Sequence, residues 1–376
     1  MHVKDFKAGY YAPQGHYQAF VPHSINHDWT LADAELESAL ALANRKLGAL
    51  DAFAGLVPSI DSFINLHIAK EATTSSKIEG TKTNIEEAFL PVTEVKPELR
   101  DDWKEVRNYI DAMNFAIGSL GELPLSSRLI RNTHKILLDG VRGNFKQPGE
   151  FRRSQNWIGG ATIQQARFVP PPFNVVGDLI GDIEKFIHNR SIHVSELIRI
   201  GITHYQFETI HPFLDGNGRT GRLLITLQMI DAGYLRYPVL YLSDFIERNR
   251  SEYYDRLNRV RTENDLRGWL LYFLRGIAEV SEDGVKTLSS VVRLKEKVND
   301  KLAQTGRRYA NAQRLVARLY ENPVIDVNAT ADLLQLKFKA AGNLITELEQ
   351  LGIIQEVTGQ QRNRIFAFRP YLNLFR

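Results

Sequence analysis

The sequence predicts a mainly α-helical protein, in which a helical bundle carries one β-hairpin and is followed by a small winged-helix unit. Apolar residues recur at helical spacing over most of the chain between residues 30 and 303. The pattern breaks once, at about 141–175, where glycines and prolines separate short β-prone pieces. From about residue 305 the order becomes helix, turn, helix, turn, helix and two strands. These three observations assign the fold class.

The N-terminal part of the chain predicts an arm followed by helices. Residues 1–30 are rich in aromatic residues, Gly, Pro and His and show no period, which indicates an ordered loop or arm. Thr30 followed by Asp33 resembles a helix N-cap with an acidic residue three positions later, so the first helix is expected to begin at Thr30. Further helices are expected at about 60–77, 83–90, 102–118, 126–139, 175–189, 193–208, 217–232, 249–262 and 265–280, with a connecting helix at 284–303.

The irregular stretch is expected to contain the hairpin. Asn156–Ile158 and Ala166–Val169 are short β-prone pieces, and the pair Gly159-Gly160 lies between them. Because paired glycines suit the tight turns that join antiparallel strands, we expect this pair to form the hairpin tip.

Length and composition exclude several classes of protein. A chain of 376 residues is long enough for two or three domains, and we expect them at 1–100, 101–282 and 283–376. The absence of cysteine excludes disulfides, thiol nucleophiles and zinc sites that use Cys. The net charge of +3 is too small for a protein that binds polyanions over its whole surface, although it permits a local basic patch. The first residues lack the apolar core of a signal peptide and the apolar runs are shorter than a membrane span, so we expect a soluble, cytoplasmic protein.

The run from His211 to Arg222, His-Pro-Phe-Leu-Asp-Gly-Asn-Gly-Arg-Thr-Gly-Arg, is the part of the chain that predicts chemistry. Pro212 disfavours helical geometry at His211, so the preceding helix is expected to end there. The helical pattern resumes from Leu223, which places Gly216-Asn217-Gly218 at the N-terminus of a new helix. Free backbone N–H groups and the positive end of the helix dipole make such a terminus an anion site.

Charged side chains flank this helix terminus. Arg219 and Arg222 are i, i+3 neighbours on one face, and two guanidinium groups there suit a polyphosphate. The same cations oppose the helix dipole, which favours a functional explanation over a structural one. Asp215 could hold a hard cation that bridges phosphates, and His211 could act as the general base for a hydroxyl. Phe213 is expected to point the opposite way and to anchor the loop in the core.

The run resembles the signature of the Fic family, HPFx[DE]GNGRxxR, and matches it at every fixed position. The resemblance implies a Fic-fold helical bundle that transfers AMP from ATP to a Ser, Thr or Tyr hydroxyl of a protein and releases pyrophosphate. It implies that His211 deprotonates the hydroxyl, that Asp215 binds Mg²⁺, and that Arg219 and Arg222 hold the β- and γ-phosphates. The remaining residues of the implied anion hole and nucleotide-binding loop are Gly216, Asn217, Gly218, Thr220 and Gly221. The similar Doc branch, which transfers phosphate, has Lys where this chain has Gly218, so Gly218 favours AMP transfer.

The resemblance also gives a role to two other segments. The hairpin at about 155–169 lies where Fic proteins carry a flap, which registers the target segment by adding a strand to its edge. The segment Asn249–Tyr254 is similar to the one that lines the adenine pocket in relatives. Tyr254 is therefore expected to contact adenine or ribose.

The stretch Thr74–Gly80 resembles the inhibitory motif of the family, [ST]xxxE[GN]. Ser75 and Glu79 share a helix face, and Gly80 suits a helix end. A carboxylate presented there could pair with Arg222 and occupy the guanidinium that should hold the γ-phosphate. We expect the Ser75 hydroxyl to hydrogen-bond Glu79 and fix its rotamer. The motif precedes the signature in the chain, which implies inhibition in cis by an N-terminal helix.

The C-terminal unit is the basic part of the chain. Residues 301–376 contain eleven Lys and Arg against six Asp and Glu, a net charge of +5, whereas the remaining residues sum to −2. The expected recognition helix also carries Glu347 and Glu349, which weakens it as a DNA-binding face; protein contact or dimerisation is the alternative. The basic residues that could meet a phosphate backbone are Lys337, Lys339, Arg362 and Arg364.

The sequence therefore predicts a Mg²⁺- and ATP-dependent protein adenylyltransferase that is inhibited by Glu79 and able to modify itself. One alternative is a nucleotide-sensing transcription regulator that binds DNA through its winged helix. Another is a Fic enzyme that transfers a different phosphate group or removes AMP, with Glu79 orienting a water. Relatives often form dimers, and a homodimer would bury part of the Glu79 helix. The sequence leaves the target protein and the oligomeric state open.

Overall fold

The computed structural model describes residues 1–57, 59–141 and 145–375. Arg376, which is counted in the C-terminal charge, lies outside the described residues. The protein is mainly helical, as the sequence predicts. The α-helices of the described residues are α1 (Ala34–Leu56), α2 (Asp61–Ile78), α3 (Arg100–Ser119), α4 (Ser127–Leu137), α5 (Val176–His188), α6 (Glu196–Ile210), α7 (Asn217–Asp231), α8 (Ser243–Arg248), α9 (Arg250–Glu263), α10 (Leu266–Leu302), α11 (Tyr309–Glu321), α12 (Val327–Leu334), α13 (Phe338–Gln350) and α14 (Arg369–Leu372). The strands are β1 (Gly9–Gln14), β2 (Tyr17–Pro22), β3 (Val324–Asp326), β4 (Gln355–Glu356) and β5 (Ile365–Ala367).

The N-terminal arm is a β-hairpin, so the prediction of a loop over residues 1–30 is wrong for its middle part. Strands β1 and β2 pair antiparallel from Gly9↔Pro22 to Gln14↔Tyr17. The sequence of β1, Gly-Tyr-Tyr-Ala-Pro-Gln, lacks the alternation of apolar and polar residues by which a strand is recognised. None of its residues is buried, so no such alternation is needed. The backbone N–H of Phe20 donates to the carbonyl of Val169 at 2.9 Å, which joins this hairpin to the second piece of the central irregular stretch.

Several helix limits differ from the predicted ones. Helix α1 begins at Ala34 rather than Thr30, because the Asp33 side chain accepts from the Leu36 N–H and caps the helix. The helix expected at 83–90 is a single 3₁₀ turn, Glu87–Phe89. The helices expected at 265–280 and 284–303 are one continuous helix, α10. Helix α8 and strand β3 are elements that the sequence did not predict.

Helices α6 and α7 form the centre of the bundle. All residues of α6 from Leu197 to Ile210 are buried, and α7 is buried over most of its length. A helix that is buried all round must be covered by other elements on every side. The indole N–H of Trp269, on α10, reaches the carbonyl of Gly201 on α6 at 2.8 Å, where glycine leaves room for the aromatic residues of α10. The loop between α6 and α7 is therefore held between two fixed helices.

The central hairpin is present but short. Ile158 and Phe168 form one antiparallel bridge, with the Ile158 N–H donating to the Phe168 carbonyl at 2.8 Å. Gly159 and Gly160 both have positive φ, 70° and 76°, which glycine adopts without strain. The connection then continues through a 3₁₀ turn, Ile163–Gln165, so the tip is longer than the two glycines predicted for it.

Helix α2 packs against the C-terminal unit with its first half. The Phe63 ring meets Tyr320 of α11 and Tyr371 of α14 edge-on, at centroid distances of 5.2 and 6.1 Å. One turn later, His67 meets Phe375 at 4.8 Å. Aromatic pairs in this geometry contribute about 0.5–1.5 kcal/mol each beyond the area they bury. The first half of α2 is thus fixed to the C-terminal residues of the chain.

The C-terminal unit follows the predicted order of helices and strands, with strand β3 and the short helix α14 as additions. Strands β3, β5 and β4 form one antiparallel sheet in that spatial order. The winged-helix assignment and the three domain ranges stay predictions. None of the helices within the described ranges combines the length and the apolar character that a membrane span requires.

Candidate active site

The loop after α6 has a defined backbone conformation. His211 ends the helix in the left-handed region, at φ 50° and ψ 59°, where the following Pro212 prevents the helix from continuing. Asn217 fixes the other end: its side chain accepts from the Phe213 N–H and donates to the Phe213 carbonyl, both at 2.8 Å. Phe213 is fully buried, as predicted, and stacks on His134 at 3.7 Å. Gly216, at φ 73°, then turns the chain into α7.

Two residues that the sequence analysis missed hold this loop from outside. The Gly149 N–H donates to Nδ1 of His134, so the ring proton lies on Nε2 and donates to the Asp215 carbonyl at 2.9 Å. Burial lowers the pKa of His134 to about 4, which keeps the ring neutral in this role. Arg152 donates to the His211 carbonyl at 3.0 Å. Neither residue stands in a motif, and only their contacts reveal their function.

His211 opens into a cavity of about 750 Å³ beside the first turns of α7. Burial, together with the charges of Arg152 and Arg261, lowers the pKa of His211 to about 4. The imidazole is therefore neutral at neutral pH and can accept a proton. The cavity is lined by Glu79, Trp157, Ile158, Gly159, Gly160, Gln165, Arg167, Phe168, Glu208, His211, Gly218, Arg222, Arg250, Tyr253, Tyr254, Leu257, Asn258 and Arg261.

Arg222 is buried at the wall of this cavity and is ion-paired. One of its terminal nitrogens lies 2.8 Å from Oε1 of Glu79, which ends α2. Burial would raise the pKa of Glu79, but the guanidinium of Arg222 outweighs burial and the pKa lies below its ordinary value. The carboxylate is therefore ionised at neutral pH. Gly218 permits this approach, since a Cβ atom there would collide with Oε1 of Glu79.

Ser75 has a different partner from the predicted one. Its hydroxyl accepts from Nε of Arg222 at 2.8 Å, and its carbonyl accepts from Nη2 at 3.0 Å. The expectation that the Ser75 hydroxyl bonds Glu79 is thus wrong in the choice of partner, which is Arg222. The reason is that Arg222 enters between the two residues and binds both. The guanidinium group of Arg222 therefore donates hydrogen bonds to both Ser75 and Glu79.

Arg219 and Asp215 lie apart from Arg222. Arg219 is buried and pairs with Glu105 of α3 at 3.1 Å, its other terminal nitrogen lies 4.0 Å from Oδ1 of Asp215, and it is not among the residues that line the cavity. Asp215 is about half exposed, and its Oδ1 accepts from the Gly216 N–H at 2.6 Å. Its second carboxylate oxygen could bind a cation. Mg²⁺ is usually held in this way, by one or two carboxylates together with substrate phosphates and water. No cluster of three or more carboxylate or imidazole groups among the described residues could hold a metal by itself.

The remaining predicted residues take structural or lining positions. The Thr220 hydroxyl donates to the Gly216 carbonyl at 2.8 Å, within its own helix. No side chain caps the N-terminus of α7, which leaves its first N–H groups free for an anion. Tyr254 is 38% exposed and lines the cavity beside Tyr253, while the Tyr253 hydroxyl is engaged by Nε2 of His204 at 2.9 Å. Tyr254 is thus the accessible member of the pair.

Glu208 is a further cavity residue that the sequence analysis missed. It lies on α6 one turn before His211, and its side chain is buried. Its Oε1 has no hydrogen-bond partner among the described residues. The sequence gives no signal for it, because α6 also carries Arg199, His204 and Gln206, among which an acidic residue does not stand out.

The chain matches two family models. The family model Fic/DOC family N-terminal matches residues 37–118, and the model Fic/DOC family matches residues 124–229. The two matches together cover half of the chain.

Protein adenylyltransferase Fic of Drosophila virilis is 34% identical over 190 residues, which are 48% of this chain and 34% of that protein. The protein of the same name from Aedes aegypti is 35% identical over 135 residues, 36% of this chain and 23% of that protein. The chain thus matches about a third or less of the length of these relatives.

A solved structure shows the same fold over most of the chain. The Fic family protein from Desulfovibrio desulfuricans G20 superposes with a TM-score of 0.57 at 19% identity, over 91% of this chain and 98% of that one. The Fic/DOC family model, which matches residues 124–229, spans the loop that carries His211, the α7 terminus and Arg222. The chain belongs to the Fic/DOC family.

Proposed function

We propose that the protein transfers AMP from ATP to a Ser, Thr or Tyr hydroxyl of a protein substrate. The observation that carries the proposal is that a neutral His211, the uncapped N-terminus of α7 and Arg222 border one cavity large enough for a nucleotide. The matched relatives are named protein adenylyltransferase Fic, which supports the same activity. Substrates include the protein itself, and a homodimer is the proposed assembly.

Each functional group of the site has one role in this reaction. The target hydroxyl oxygen attacks the α-phosphorus, the bond from that phosphorus to the bridging oxygen of the β-phosphate breaks, and pyrophosphate leaves. His211 accepts the hydroxyl proton. The N–H groups of Asn217 and Gly218, at the start of α7, stabilise charge on the transferring phosphoryl group, and Arg222 holds the leaving phosphates. Asp215 would hold Mg²⁺, which neutralises phosphate charge when bound. Arg219, paired with Glu105, would reach the phosphates only after leaving that partner.

Glu79 is proposed to inhibit this reaction. The carboxylate of Glu79 must dissociate from Arg222 before Arg222 can bind the γ-phosphate, because the two anions compete for the same guanidinium group. ATP then binds to the inhibited protein less well or in a pose that does not react.

The test uses ATP labelled at either the α- or the γ-phosphate. With the Glu79→Gly variant, we expect label from the α-phosphate to appear on protein and label from the γ-phosphate to stay in solution. Transfer of the γ-label would instead identify a kinase, and no transfer of either label would favour a nucleotide sensor. Release of AMP from a previously modified substrate by the wild type would support the reverse reaction, with Glu79 orienting water.

The alternative role as a DNA-binding regulator depends on the C-terminal unit. The positive net charge of the unit supports this role. Two of its basic side chains, however, already form ion pairs with the expected recognition helix α13: Arg308 with Glu347 at 2.8 Å and Arg364 with Glu349 at 3.5 Å. The remaining candidates for phosphate contact are Lys337, Lys339 and Arg362. If the unit binds DNA, the full chain retains labelled duplex at physiological salt, and changing both lysines to glutamate abolishes retention. Wild-type protein that does not retain the duplex would contradict this role.

A further inference from the structure

One side chain of α9 holds the central hairpin, the expected flap at about 155–169, against the helical bundle. The guanidinium group of Arg261 lies over the ring of Phe168, with its central carbon 3.7 Å from the ring centroid. Phe168 is buried and belongs to the second strand piece of the flap, which pairs with the first piece in one bridge, to Ile158. A single bridge gives a hairpin little stability of its own. The stacking contact with Arg261 therefore helps to fix the flap in place.

Arg261 is itself anchored on α6, close to the proposed base. Its Nε donates to the Thr209 hydroxyl at 3.2 Å, and Thr209 lies two residues before His211. The guanidinium group is planar, so it can donate in its plane to Thr209 while its face stacks on Phe168. One side chain thus connects the flap to the end of α6, where His211 stands. Lysine could not make both contacts, because its ammonium group has no planar face.

The spacing between the flap and His211 matters for the proposed reaction. Phe168, Arg261 and His211 line the same cavity. A target hydroxyl reacts only if it is held within reach of His211 and of the α-phosphorus at the same time, with the reacting atoms about 3–3.5 Å apart. A flap that binds the target segment must therefore keep a fixed distance from the end of α6. The contacts of Arg261 with Phe168 and Thr209 span this distance.

We propose that Arg261 is a positioning residue, which fixes the flap relative to His211 and thereby sets the affinity for the target segment. The inference rests on the proposed function, since it concerns the protein substrate of the same reaction. Without the stack, the flap would occupy the competent position for only part of the time, and the apparent affinity for the target would fall by that fraction. The flap is in place once the target is bound, so the maximal rate should change little. The affinity for ATP, which Arg222 and the N-terminus of α7 hold, should also stay the same.

The kinetic test compares variants in the Glu79→Gly background. The acceptor is the full-length His211→Asn chain with an affinity tag, on which label from the α-phosphate of ATP is counted. Arg261→Lys keeps the positive charge but loses the planar stack. We expect it to raise KM for the acceptor about tenfold, while kcat and KM for ATP change less than about twofold. Arg259→Lys is the matched control on the same helix, because Arg259 pairs with Glu263 instead, and it should leave all three constants unchanged.

A double-mutant cycle tests the stacking partner. Phe168→Leu removes the ring and should raise KM for the acceptor to the same extent as Arg261→Lys. The double variant should show no further rise, since both substitutions remove the same contact. An unchanged KM for the acceptor in Arg261→Lys, or two rises that multiply in the double variant, would overturn the inference. A rise in KM for ATP would do the same, because it would make Arg261 a ligand of the nucleotide.

Hydrogen exchange measures how firmly the flap is held, without any substrate. The Ile158 amide donates to the Phe168 carbonyl at 2.8 Å. It should exchange about tenfold faster in Arg261→Lys than in the parent protein, and at the parent rate in Arg259→Lys. Equal exchange in Arg261→Lys and the parent would contradict the inference. If the parent protein transfers no label to the acceptor, the proposed function fails for that substrate, and the exchange rates alone decide whether Arg261 positions the flap.

Discussion

The Glu79→Gly variant is expected to transfer AMP at least about tenfold faster than the wild type. The substitution removes the carboxylate that lies 2.8 Å from Arg222 and frees the guanidinium for the γ-phosphate. A hydrogen bond between charged groups contributes about 1.5–3 kcal/mol, and about 1.4 kcal/mol corresponds to a factor of ten. The Glu79 side chain is 38% exposed, so water weakens the ion pair and the lower end of this range applies. The measurement is the initial rate of incorporation of label from the α-phosphate of ATP.

Two variants control for effects of the substitution itself. Glu79→Gln keeps the size of the side chain but removes its charge, and its rate should lie between those of wild type and Glu79→Gly. Glu263→Gly changes another glutamate at a helix end, which pairs with Arg259 and does not line the cavity. It should leave the rate unchanged. A Glu79→Gly rate equal to that of the wild type would show that the observed ion pair does not inhibit.

Replacing His211 is expected to lower the rate of AMP transfer by about 10²–10⁴-fold, the usual contribution of a general base. Asparagine is the suitable replacement because His211 has a left-handed backbone, which asparagine adopts more readily than alanine. The comparison is made in the Glu79→Gly background, where the starting rate is high. ATP affinity should change little, since Arg222 and the N-terminus of α7 remain. A His211→Asn protein that retains its activity would exclude His211 as the base.

The pH profile gives an independent check on His211. Because burial and neighbouring arginines lower its pKa to about 4, the ring stays neutral well below the ordinary histidine value of 6.5. The maximal rate at saturating ATP should therefore stay level as pH falls from 8 to about 5 and decline only as pH approaches 4. Glu79 raises the pKa of His211, so the Glu79→Gly variant should keep its activity to slightly lower pH. A decline centred near pH 6.5 would contradict a buried, neutral base.

The residues of the site that could be predicted lie together in a short stretch of the sequence. His211, Asp215 and Arg222 lie in one run, so the end of one helix and the start of the next place them without knowledge of other elements. Glu79 could be assigned because it stands at a helix end, where a short motif has a defined geometry.

The residues that could not be predicted act over long distances in sequence. His134 supports the carbonyl of Asp215, 81 residues later, and Arg219 pairs with Glu105, 114 residues earlier. His134 lies among the apolar residues of α4, where sequence alone indicates an ordinary buried position. The prediction that Arg219 and Arg222 lie on one helix face and hold the same polyphosphate considered the helix by itself. In the bundle, α3 and α2 approach α7 separately, and each arginine meets a different carboxylate.

The contacts at the two ends of α2 determine how the proposed inhibition by Glu79 could be relieved. The helix has 18 residues and is about 27 Å long. Its first half is fixed by edge-on aromatic contacts with the C-terminal unit, and only its last turn contacts Arg222. Withdrawing the helix as a rigid body would break the packing of Phe63 and His67 as well as the ion pair. Rotation of the Glu79 side chain, or unwinding of the one turn that ends at Gly80, breaks the ion pair alone. Release of the proposed inhibition therefore requires only a local event of small amplitude, which a competing anion could trigger without moving the rest of α2.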